Sequence, residues 1–246
     1  MQRTEDGRPI EFLQCAIVAN PGRSRVTTSR GRSPQWSSDN LSGVKSHELS
    51  IAGAWEFEPP AFPDDRGQFV APFQAETFTA TVGHTLTVAQ TNHSVSRRGV
   101  VRGVHFADVP PGQAKYVYCA HGSLLDVVVD VRDGSPTFGE HAAVLLEARR
   151  GNAVYLSEGL GHAFVALDDD TAMVYLCSTG YHPATEHGVN PLDPDLALPW
   201  PSELDLVLSD KDRAAPSLER AKADGNLPAF AECADLVRPT YVAGRQ

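Results

Sequence analysis

The chain has 246 residues, a formal net charge of −10 and a hydrophobic share of 41%. That length suits one large domain or two small ones, and the apolar share is enough for a packed core. No apolar run approaches the roughly 18 residues that span a bilayer, and no basic patch is dense enough to coat nucleic acid, so neither role is expected.

The first residues differ in texture from the rest. Residues 1–43 carry six Lys/Arg against four Asp/Glu, and from Asn20 they are mostly Ser, Arg, Gly and Thr. With so little to bury, this extension is expected to be disordered. Its short apolar piece at 12–19 follows Glu5, Asp6 and Glu11, where a secretion signal would carry basic residues. The folded domain is expected to span 44–230, with 231–246 a peripheral tail. Val44 would itself be the initiator if read from a GTG codon. Of the four cysteines (Cys15, Cys119, Cys177, Cys233), none forms a CxxC. Cys119 and Cys177 lie in apolar runs and read as small core residues, which fits a reducing, cytoplasmic setting.

After Trp55 the texture is all-β. Strand-like runs recur at short spacing: AWEFE, GQFVAPF, TLTVAQT, GVVRGVHF, AKYVYCA, LLDVVVDVR, AAVLLEA, NAVYL, HAFVAL and TAMVYLC. Turn residues such as PDDRG, SRRG, DVPPG, RDGSP and LDDD separate them. About ten strands joined by hairpin turns predict a sandwich or jelly roll. In LLDVVVDVR, Asp126, Val128 and Asp130 share one face, and Val127, Val129 and Val131 the other; one face is expected in the core and the other against something polar. Only SLERAKAD, near the C-terminus, reads as a helix. The proline-rich run after Tyr181 reads as irregular structure wrapped on the barrel, because Val189, Leu192, Leu196, Leu198 and Trp200 need burial.

The chemistry concentrates between Gln90 and Lys115. His105 has the pKa range of a general base, and a carboxylate is expected to orient it, with Asp210 and Asp212 both candidates. Lys115, among apolar neighbours, needs either a partner or a task; the task would be stabilising an oxyanion. Tyr175 shares strand parity with Met173 and Cys177, so it reads as a core tyrosine unless that face is polar, where it could donate a proton. His162, in a Gly-rich turn, and Arg66, in DDRGQF, are candidate phosphate contacts. No HxH pair occurs, so metal binding is not expected.

These residues together resemble the dTDP-4-dehydrorhamnose 3,5-epimerase family. The matching pieces, in order from about Val44 to Phe230, are DDRGQF, QTNHSVSRRGVVRGVHF, PPGQAKYV, LLDVVVDVRDGSPTFG, SEGLGHAF, MVYLCSTGY and LSDKD. The resemblance implies a cupin-type jelly-roll barrel with short peripheral helices, usually a homodimer, acting without metal or cofactor on a dTDP-4-keto-6-deoxyhexose. It implies that His105 is the base with Asp212 as its carboxylate, that Tyr175 is the acid on the other face of the sugar, and that Lys115 sits near the C4 oxygen with Asp126 close by. Arg66, Gln90, Asn92, Arg102, His162, Glu186 and Lys211 would contact substrate or nucleotide, and Tyr181 would stack on the thymine. One departure is Ala71, where family members often carry Glu.

The expected reaction is inversion at C3, C5 or both through an enolate. Alternatives on the same fold are a 3,4-ketoisomerase, a non-catalytic sugar-nucleotide-binding cupin and a metal-dependent cupin enzyme.

Overall fold

A computed structural model describes residues 43–237. The expected disorder of the N-terminal extension falls, but for Gly43, outside those residues, as does the end of the tail.

Thirteen strands are found among the described residues. A six-stranded antiparallel sheet runs β1 (Lys45–Glu48), β2 (Ala54–Glu58), β10 (Ala153–Leu156), β7 (Lys115–His121), β12 (Thr171–Cys177) and β5 (Gln90–Ser96). A five-stranded sheet runs β13 (Glu186–Gly188), β6 (Val101–Ala107), β11 (Gly161–Ala166), β8 (Ser123–Val129) and β9 (His141–Glu147). β3 (Ala61–Asp64) and β4 (Gly67–Val70) form a separate hairpin. The two larger sheets face one another as a jelly-roll barrel of the cupin type. Its interior is packed by Val117, Cys119, Leu124, Val128, Leu146, Val154, Phe164 and Met173.

Both sheets are also covered on the outside. Helix α1 (Ala75–Val82) lays Phe78 on the six-stranded sheet among Phe57, Tyr116 and Tyr155. The Phe78 and Tyr155 rings meet edge-on at 4.9 Å. This helix was not expected, because three threonines and a valine in AETFTATV favour strand. Burial of Phe78, contributing about 1.5–3 kcal/mol, and a left-handed C-cap at Gly83 override that local preference. On the other side, Val189, Leu196 and Leu218 cover Val104, Phe106, Val127 and Val129. The C-terminal wrap that supplies them includes α2 (Asp210–Arg213) and α3 (Leu218–Ala223), the latter being the helix expected from SLERAKAD. A fourth helix, α4 (Phe230–Val237), straddles the boundary drawn at 230 and buries Cys233.

Covering both sheets changes the reading of β8. Its two faces are both buried: Asp126 and Val128 face the barrel, and Val127 and Val129 face the wrap. Asp130 lies past the strand end, where Arg132 donates to it from Nε at 2.8 Å and from a terminal nitrogen at 2.7 Å. The expected strand TLTVAQT is also displaced; pairing begins only at Gln90 and runs through QTNHSVS. Glu186–Gly188, read as irregular, instead pairs with β6.

Candidate active site

One end of the barrel opens into a cavity of about 510 Å³. The strand order brings β5, β12 and β7 of one sheet and β11, β6 and β13 of the other to its walls, and the chain from Val207 to Asp212 closes one side. Ten of the residues singled out from the sequence line it together: His105, Tyr175, Asp212, Lys115, Asn92, Arg102, His162, Tyr181, Glu186 and Lys211.

A local irregularity in β6 makes this possible. Arg102 and His105 are an odd number of residues apart, so regular alternation would point them to opposite faces. The pairing with β11 shifts between His162↔His105 and Phe164↔Arg102, so Gly103 and Val104 together oppose Ala163. This bulge restores both side chains to the cavity. It requires Gly103: φ is +117°, and a Cβ there would lie 2.6 Å from the Cα of Ala163 and closer still to the carbonyl of His162. A glycine inside a strand pattern is the sequence signal for such a bulge.

His105, with its side chain 35% exposed, places Nε2 2.7 Å from Oδ1 of the buried Asp212. Asp212 lies in α2, whose N-cap Ser209 accepts a hydrogen bond from the Asp212 backbone N–H at 3.0 Å. Burial would raise the Asp212 carboxyl, but hydrogen bonds from His105, Ser209 and the Gly103 backbone hold it below its ordinary value of 3.8. Asp210 begins the same helix but faces solvent, which decides between the two aspartates. The Ser-x-x-Asp spacing in LSDKD is a helix-start signature that could have flagged Ser209.

Lys115 is only 9% exposed, at the cavity end of β7 and directly opposite Cys177. Burial pulls its ammonium below 10.5, partly countered by the charges of Glu186 and Asp126. Among the described residues no carboxylate lies within 4.0 Å of its Nζ, so this cation is held without an ion pair. Tyr175 is half-buried against the barrel core, with its phenol 3.3 Å from Ser94 Oγ. Burial pushes the phenol up to about 12, against pulls from Ser94 and Arg102. It is therefore a core tyrosine along most of its ring and a cavity group at its tip. Ser94 was not foreseen.

The other expected contacts separate into two groups. Arg102 donates from Nε to Ser96 Oγ at 3.2 Å. Gln90 does not line the cavity; its Nε2 donates to Asn92 Oδ1 at 2.7 Å and its Oε1 accepts from the Tyr181 backbone N–H at 3.0 Å, so it orients two residues that do. Tyr181 is 56% exposed at the rim. His162 is buried and has Nε2 2.6 Å from Asp126 Oδ1, so that nitrogen is not open to a phosphate. Arg66 is not brought to the cavity. It sits in the exposed turn between β3 and β4, with Nε on Asp64 at 3.1 Å. Away from the cavity, His47, Glu56 and Glu58 cluster closely enough to hold a cation on β1 and β2, but Arg150 already stands 3.8 Å from Glu56 and 3.7 Å from Glu58.

Comparison with known proteins places the chain among sugar-nucleotide epimerases. The family described as dTDP-4-dehydrorhamnose 3,5-epimerase matches residues 48–220. A dTDP-4-dehydrorhamnose 3,5-epimerase of Mycolicibacterium smegmatis is 54% identical over 194 residues, covering 79% of this chain and 96% of that protein. A dTDP-4-dehydro-6-deoxyglucose 3-epimerase of Streptomyces bikiniensis is 53% identical over 184 residues, covering 75% and 94%. The crystal structure of ChmJ, a 3'-monoepimerase of that organism in complex with dTDP-quinovose, superposes with a TM-score of 0.76 at 51% identity, covering 78% of this chain and 96% of that one. With its barrel and its match over most of its length, the chain belongs to the dTDP-4-dehydrorhamnose 3,5-epimerase family.

Proposed function

We propose that the protein inverts C3, C5 or both of a dTDP-4-keto-6-deoxyhexose, in the making of a deoxysugar. The observation that carries this reading is the shared cavity: the His105–Asp212 pair, the Tyr175 phenol and the buried Lys115 all line it. The C4 ketone acidifies hydrogens on C3 and C5. With Asp212 on Nε2, His105 has Nδ1 left to take one of them. The charge then collects on the C4 oxygen, where the Lys115 ammonium stabilises it in a site of low dielectric. Tyr175 returns a proton on the opposite face, and the carbon is inverted.

Arg102 and Lys211 supply positive charge for the diphosphate within a chain of net charge −10, an instance of local focusing of charge. Tyr181, at the exposed rim, stacks on the base, while Asn92 and Glu186 contact the sugar nucleotide. The working form is a homodimer: Arg66 lies on an exposed hairpin away from its own cavity, and a second subunit gives it a route to a nucleotide. The free thiols of Cys119, Cys177 and Cys233 suit a cytoplasmic enzyme.

Incubation with dTDP-4-keto-6-deoxyglucose in D2O, followed by NMR, tests the reading. Deuterium is expected at C3, C5 or both. His105→Ala should slow that labelling by about 10²–10⁴-fold, and Tyr175→Phe should impair inversion more than exchange. Unchanged labelling in His105→Ala would remove the proposal.

A further inference from the structure

The cavity holds a second histidine–aspartate pair beside the first. His162 on β11 and His105 on β6 are directly opposed in the strand pairing, so their side chains leave the same face with Cβ atoms about 5 Å apart. Each has a carboxylate on Nε2, Asp126 at 2.6 Å for His162 and Asp212 at 2.7 Å for His105. His162 also meets Tyr175, the rings edge-on with centroids 6.1 Å apart. His162 is therefore a neighbour of both groups that the epimerase reading makes the base and the acid.

We propose that His162, held by Asp126, carries a proton from His105 back to Tyr175 after each inversion. This rests on the reading of His105 as base and Tyr175 as acid. One inversion breaks a C–H bond to His105 and forms a new C–H bond with the phenolic proton. The sugar is then neutral again, but His105 holds one proton too many and Tyr175 one too few. With its Nε2–H donated to Asp126, His162 has Nδ1 open. That nitrogen takes a proton from the His105 imidazolium, directly or through one water, and then gives it to the phenolate. No outside reactant is consumed, and all three residues return to their starting state.

The surroundings of the two end groups make such a route useful. His105 is 35% exposed, so the proton it holds exchanges with water before the relay passes it on, and solvent deuterium still reaches the sugar. The phenol tip faces the cavity that the sugar would fill, and its hydrogen-bond partner there is Ser94 at 3.3 Å. Asp126 is 1% exposed, and its Oδ2 has no hydrogen-bond partner among the described residues, so its charge is directed largely to the imidazole and to Lys115.

Rapid-quench kinetics with dTDP-4-keto-6-deoxyglucose would test the relay. In His162→Gln the first turnover starts from a protonated Tyr175. A burst of up to one inversion per site is expected, followed by a steady state slower than wild type by about 10-fold or more. Added imidazole, a diffusible proton carrier, should restore the later turnovers. Asp126→Asn, nearly isosteric, should give the same burst with a milder second phase; it serves if the first variant fails to fold, which thermal melting would reveal. Equal slowing of first and later turnovers, or a wild-type steady state, would overturn the relay while leaving the epimerase reading intact. Wild-type protein that neither labels nor inverts the sugar would sink both.

Discussion

Lys115 must stay protonated in a pocket where burial works against charge. Its ammonium is lowered from 10.5, while the phenol of Tyr175 is raised to about 12. As pH climbs, the lysine therefore loses its proton first. The alkaline decline of kcat/KM should begin below pH 10.5 and belong to Lys115. Lys115→Arg, which keeps its charge to beyond about pH 12, should move that decline upward while lowering the plateau. A pH–rate profile of both proteins checks this, and an unmoved limb would assign it elsewhere. The other residue-level expectation concerns Asp212. Asp212→Asn keeps a hydrogen-bonding partner for Nε2 but removes the charge that stabilises the imidazolium. Its kcat should fall by about 10²-fold, with KM changed far less, because the carboxylate acts through His105 and not on the nucleotide.

Among the elements, β6 and the end of β8 show what a sequence displays and what it conceals. The run Arg102 to His105 was legible as a cluster of functional groups, and so was the pairing of His105 with a carboxylate in LSDKD. Strict alternation would nevertheless have divided Arg102 from His105; the bulge at Gly103 reunites them, signalled by a glycine inside a strand pattern and located by the register with β11. Helix α1 was hidden because its threonines compete with the packing of one phenylalanine. The two aspartates of LLDVVVDVR look alike but differ in partner: Asp126 serves His162, whereas Asp130, just past β8, takes Arg132, Ser135 and Thr137, both hydroxyl contacts at 2.6 Å. Burial would raise the Asp130 carboxyl, yet these donors hold it below 3.8. A depressed carboxyl contributes stability above its unfolded pKa and loses it as pH falls through the folded value. Arg132→Met would leave the buried Asp130 without its cation and should cost about 3–5 kcal/mol in urea denaturation. The acid-unfolding midpoint should rise as well, since less of the Asp130 contribution then remains to resist protonation.

For the molecule as a whole, the fold class was readable because ten strand-like runs with turn chemistry between them leave few alternatives to a closed β architecture. The cavity was not readable as a place. Its walls come from both sheets and from the C-terminal wrap, so their meeting depends on crossovers that local pattern does not encode. The site therefore depends on a segment far along the chain. His105 and Asp212 are 107 residues apart in the chain, and Asp212 arrives only when the segment after Trp200 docks, with Val207 pairing to Gly99 and Val101. A polypeptide that had already closed its barrel but left this segment loose would own an imidazole with nothing to steady it. Turnover would then report on the seating of one strap. In mild urea, catalysis should fade before the far-ultraviolet signal of the sheets, and an inhibitor pressing that strap outward would silence the enzyme without touching a sugar-binding group.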